Sequence, residues 1–187
     1  MHALAIGVRC LIGVVFLVSS VGKVLGRRRF GDFVAAIRRV PAVPTQRATA
    51  VAAVVVAAEF AVWILLVIPT PLTAAVGCAL AAVLLAVFVI GIASALGHSV
   101  AVPCRCFGAS TAVLGLPHLI RNAILALLAA AGAVSALWAA SASTGTAPGV
   151  ETVVAALAGA LLGGLVVVLD DVLELFLPAV PKPFQHR

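Results

Sequence analysis

The sequence predicts an all-α, polytopic membrane helical bundle, and three observations carry that reading. Apolar residues make up 64% of the chain and charged residues 10%, whereas soluble domains run at roughly 45–50% and 25%. Mean hydropathy is +1.29. Five apolar runs, about Ala3–Gly26, Ala48–Ile68, Leu72–Leu96, Leu119–Ala140 and Val150–Leu169, each approach the ~20 residues that a helix needs to cross a hydrocarbon core ~30 Å thick. A chain of 187 residues then has little left for a soluble domain.

The first run sits where a signal peptide would, but it has nearly the spanning length and meets an arginine cluster with no small-residue cleavage site before it, so it reads as a retained helix. Between the first two runs, Phe30, Phe33, Val34, Ile37 and Val40 recur at helical spacing while Asp32, Arg38 and Arg39 fall on other faces. That pattern predicts a short amphipathic helix at the membrane surface, closed by Pro41 and Pro44. Pro69-Thr70-Pro71 predicts a tight turn. Gly97–His118 reads as a loop and Ser141–Gly149 as a short flexible connection. Gly159, Gly163 and Gly164 in the fifth run form a small-xxx-small pattern, read as packing against the other helices in preference to oligomerisation. The organisation is a four-helix unit over 3–140, then an additional spanning helix and polar tail over 141–187.

Net charge is +6 with a pI near 10.1. The basic residues flank apolar spans without interleaved aromatic side chains for base stacking, which argues against nucleic acid and for anionic lipid as the counter-charge. Of the basic residues, only Arg9 lies away from the side shared by the first loop, the third loop and the tail. The positive-inside rule therefore predicts a multi-pass protein of the cell membrane, its N-terminus outside and the third loop in the cytoplasm.

That third loop carries Cys104-Arg105-Cys106-Phe107-Gly108. A thiolate is both a nucleophile and a soft metal ligand, and Arg105 with the flanking His98 and His118 supplies positive charge that favours the thiolate. A disulfide across one intervening residue closes a strained ring of the labile, catalytic class. Zinc or copper(I) held with His98 and His118 is a second reading, but structural zinc pairs are usually spaced by two to four residues, so no metal site is assigned. Simple packing of two small residues is the third. Lys23 and the Arg121-Asn122 pair fall near the same membrane side and are the supporting candidates, Arg121 either stabilising a thiolate or snorkelling to the interface.

Two charges fall inside spans. Counting helical rise from the outer boundary puts Arg9 about 9 Å deep and Glu59 about 13 Å deep, which predicts an Arg9–Glu59 ion pair acting as structural glue in preference to proton transfer. Cys10 and Cys78 sit at similar depth and read as inert core residues, with a bridge between them as the lesser reading. Trp63 and Trp138 read as interfacial anchors.

Arg9, the Phe16–Lys23 stretch FLVSSVGK, the amphipathic loop ending at Pro44, Glu59, CRCFG at 104–108 and RN at 121–122 together resemble the MauE methylamine-utilisation family of DoxX-like membrane proteins. The resemblance covers about residues 3–140. It implies a membrane factor for the maturation of an exported substrate protein, the methylamine dehydrogenase small subunit or another, through processing, transport or disulfide formation. It also implies a thioredoxin-like partner and places the redox pair at Cys104 and Cys106. The architecture is similar to disulfide-generating membrane oxidoreductases, and by that fold-level analogy a quinone is the cofactor to consider. Substrate disulfides form outside the cytoplasm, so either the charge rule fails here or the protein relays electrons from a cytoplasmic reductant. Two further readings stand beside disulfide exchange: a scaffold or small-solute carrier with Arg9, Glu59 and Lys23 along its path, and a metal-handling membrane protein.

Overall fold

The computed structural model describes residues 2–40, 43–97, 116–141 and 149–176. The helices are α1 (His2–Val24), α2 (Arg27–Arg38), α3 (Ala48–Val67) after a single 3₁₀ turn at Thr45–Arg47, α4 (Pro71–Gly97), α5 (Leu116–Ser141) and α6 (Val150–Phe176). All but α2 are long and apolar enough to span a bilayer, and the chain is an all-α multi-pass membrane protein.

Helices α1, α3, α4 and α5 form a closed ring of contacts, α1 on α3, α3 on α4, α4 on α5 and α5 back on α1. Two ends can be distinguished. The distal end holds the start of α1 and the turn from α3 into α4; the proximal end holds the end of α1, helix α2, the end of α4 and the start of α5.

The elements follow from local chemistry. At the distal turn, Thr70 Oγ1 accepts a hydrogen bond from the Thr73 amide at 3.2 Å, one turn into α4. It thereby caps the helix whose first residue is Pro71, a position where the missing N–H costs nothing. At the proximal end Gly26 links α1 to α2 with φ of 109°, a left-handed conformation that side chains with a Cβ rarely adopt. Helix α2 lays Phe33 and Val34 against Ala48, Ala52 and Val56 of α3, with Phe30 and Ile37 alongside. This is the apolar face that the sequence spacing marks.

The bundle centre is a layer of Ile12, Val15 and Phe16 from α1, Val62 from α3, Leu85 from α4, and Leu125 and Ala129 from α5. Lipid tails are as apolar as leucine, so close packing and not exclusion of water holds these helices together. Small residues permit the approach: a Cβ at Gly132 would lie 3.0 Å from Val8 Cγ1 and 3.2 Å from Cys78 Sγ.

Helix α6 stands outside the ring and packs on α1. The contact is backbone against backbone, since a Cβ at Gly159 would fall 2.1 Å from the Gly7 carbonyl oxygen and one at Gly163 would fall 2.8 Å from that of Leu11. These two glycines serve intramolecular packing. Gly164, the third of the sequence pattern, faces open space.

Candidate functional site: a buried charged layer at the proximal end

Among the described residues, seven polar side chains are buried in the bundle: Ser19, Ser20 and Lys23 on α1, Glu59 on α3, and His118, Arg121 and Asn122 on α5. All except Glu59 lie in the proximal half of their helices, and Glu59 is brought to the same level by its pairing with α1.

The ion pair at its centre is Lys23–Glu59. Lys23 Nζ lies 2.6 Å from Glu59 Oε1, with the two side chains 3% and 0% exposed. Ser19 Oγ donates to the same carboxylate oxygen at 3.1 Å and accepts from Lys23 Nζ. The ammonium also sits 5.1 Å from the Phe33 ring centroid and 5.9 Å from that of Phe88, a cation–π arrangement that compensates part of the lost hydration. A charge buried without such partners would be far too costly to keep. Glu59 Oε2 has no hydrogen-bond partner among the described residues.

This corrects the Arg9–Glu59 pair expected from depth counting. Arg9 Nε and Nη2 instead donate to the backbone carbonyls of Leu66 and Ile68, at the distal end of α3. The physical reason is side-chain direction. Helical side chains lean toward their own N-terminus, so in the antiparallel α1 and α3, Arg9 leans distally while Glu59 leans proximally. Lys23, also on α1, leans back from the proximal end into the bundle and meets Glu59 beside Ser19, one turn earlier on the same face. Arg9 in turn satisfies carbonyls that the end of a helix leaves without intrahelical donors.

On α5, His118, Arg121 and Asn122 begin the buried stripe continued by Leu125, Ala129, Gly132, Ala133 and Ala136. Arg121 is 8% exposed, so it points into the protein and does not snorkel to the interface. Asn122 is fully buried, donates from Nδ2 to the His118 carbonyl at 2.9 Å, and has an Oδ1 without a partner among the described residues.

Cys10 and Cys78 are free thiols: Gly132 of α5 presses on Cys78, whereas Cys10 lines a groove between α1, α3 and α6. Trp138 is 75% exposed. Trp63 is not; it lines the same groove, 6.1 Å from the Phe60 ring. Cys104, Arg105, Cys106 and His98 lie outside the described residues. Among the described residues, no cluster of three or more His, Cys, Asp or Glu side chains could hold a metal ion.

The family model described as Methylamine utilisation protein MauE matches residues 1–139, which span the ring of α1, α3, α4 and α5, together with α2 and the cysteine segment. The chain belongs to the MauE family. No curated protein and no solved structure matches it. Within this MauE-family protein the match ends before α6, so the buried charged layer lies wholly inside the family region while the helix packed on its outside does not.

Proposed function

We propose that this MauE-family membrane protein is a maturation factor that exchanges disulfides with a thioredoxin-like partner through Cys104 and Cys106. One thiolate attacks a sulfur of the partner disulfide and forms a mixed disulfide; the second displaces the partner, which leaves as a dithiol. Two electrons pass from the cysteine pair to the partner, whose released thiolates take up the protons. Run in reverse, the same steps oxidise the partner. In that reverse direction the partner's dithiol reduces the pair's disulfide, and a quinone is the lipid-soluble acceptor that would reoxidise the reduced pair. In the forward direction a dithiol reductant restores the pair. The exported substrate protein stands downstream of that exchange.

What supports this reading is family membership together with a placement. Residues 98–115, which contain the pair, join the end of α4 to the start of α5. Both helix ends belong to the proximal end, where Lys23, Glu59, Arg121 and Asn122 are buried. The charge rule assigns this end to the cytoplasm of the cell membrane, consistent with a relay that draws on a cytoplasmic thioredoxin-like reductant. A solute path through Arg9, Glu59 and Lys23 fares worse. Arg9 is tied to carbonyls at the distal end, and the packed layer of Ile12, Val15, Phe16 and Val62 separates it from the Lys23–Glu59 pair.

Trapping tests the proposal. A Cys104→Ser or Cys106→Ser variant is expected to accumulate a mixed disulfide with the partner, visible as a reductant-sensitive band on a non-reducing gel, and to lose maturation of the substrate. Full maturation by both variants with no captured partner overturns it. If instead the cysteines are dispensable and Glu59→Gln abolishes function, the carrier reading takes its place; stoichiometric zinc or copper lost with either cysteine would favour metal handling.

A further inference from the structure

Between α3 and α6, across the face of α1, lies a groove of about 480 Å³, within the range of small-molecule sites. Its floor is the α1 stripe Ile6, Cys10, Gly13 and Leu17, and its walls include Trp63 of α3 and Ala160 of α6. Among the described residues, the sole charged one lining it is Arg9. The two carbonyls that hold Arg9 take one hydrogen bond each from a guanidinium that carries five N–H groups. They also fix its level. Leu66 and Ile68 adjoin the irregular turn into α4, and lipid-exposed irregular backbone belongs to the headgroup zone, not the hydrocarbon.

The groove is therefore polarised along its length. A cation stands at headgroup level, and an apolar channel runs inward from it to Leu17, about 12 Å at 1.5 Å per residue. Gly13 is what opens it midway, for a Cβ there would meet nothing within 4 Å. From this geometry we infer that the groove between α1, α3 and α6 is a binding site for one anionic phospholipid, its phosphate on Arg9 and one acyl chain laid over Gly13 toward Leu17. Charge decides the occupant. A positive group facing no acid among the described residues of the groove favours an anionic headgroup over a zwitterionic one, whose own ammonium cancels much of the attraction, and over the neutral ring of an isoprenoid quinone. The site involves neither Cys104 nor Cys106, so it stands or falls independently of the disulfide chemistry.

The test is native mass spectrometry of the full chain released from nanodiscs of equimolar phosphatidylglycerol and phosphatidylcholine, with isoprenoid quinone added in a parallel arm. The wild type is expected to retain one phosphatidylglycerol, preferred about tenfold over phosphatidylcholine, as one charge-assisted contact implies. Gly13→Leu, which points into open space and leaves the packing intact, should retain no lipid. Arg9→Gln should keep the chain contact and lose the headgroup preference. Equal retention of the two lipids, displacement of lipid by quinone, or unchanged lipid on Gly13→Leu would each overturn the inference.

Discussion

Replacing Glu59 with leucine should destabilise the bundle by about 3–5 kcal/mol, because it removes the carboxylate that pairs with the buried Lys23 ammonium. Ser19 and the Phe33 and Phe88 rings remain beside it, but a hydroxyl and two ring faces do not replace a carboxylate 2.6 Å away. Lys23→Met should cost a similar amount by stranding the carboxylate. The double variant Lys23→Met/Glu59→Leu is expected to recover most of that loss, since an apolar pair of similar volume in place of a buried ion pair is often neutral or stabilising. Reversible unfolding of all three variants in mixed micelles measures the coupling. Additive losses would show that the two charges do not depend on one another. The double variant also separates glue from chemistry: a stable protein that no longer matures its substrate would give the pair a role beyond holding α1 against α3.

The second large effect belongs to α6. Gly159→Leu forces a side chain into the space of the Gly7 carbonyl, where even a Cβ would sit 2.1 Å from the oxygen. Backbone cannot yield as a flexible side chain does, so α6 must lift from α1, at a cost at or above the usual ~1–3 kcal/mol of overpacking. Gly164→Leu, five residues along the same helix, should be neutral because nothing lies within 4 Å of that position. Limited proteolysis in detergent distinguishes them: faster cleavage between α5 and α6 in the Gly159 variant, and wild-type rates in the Gly164 control. Equal behaviour of the two would place the α1–α6 contact elsewhere.

The spans are legible in the sequence because each has the length that a bilayer demands, and helix α2 because its phenylalanines keep helical spacing around charged positions. The pairing of Glu59 was not legible from depth alone. Counting rise along each helix locates a Cα, whereas Arg9, Lys23 and Glu59 are long side chains that lean toward their own N-termini and shift their charged groups by about a turn. The signals that pointed to the observed pair were Ser19 and Lys23 at i and i+4, with Phe33 following on the next helix. On α5, too, His118, Arg121 and Asn122 extend the spacing of Leu125 and Ala129, which marks them as inward-facing. The groove that Trp63 lines was not legible either, because only the placement of α6 on α1 creates it.

The direct test of the proposed exchange is the redox behaviour of the neighbouring thiols in native membranes. Alkylation followed by mass spectrometry, across a series of dithiol/disulfide buffers, should find Cys104 and Cys106 switching together between a form that takes two alkyl groups and a form that takes none until it is reduced. Thiols that stay reduced in every buffer, or that resist the alkylating agent throughout, would contradict it.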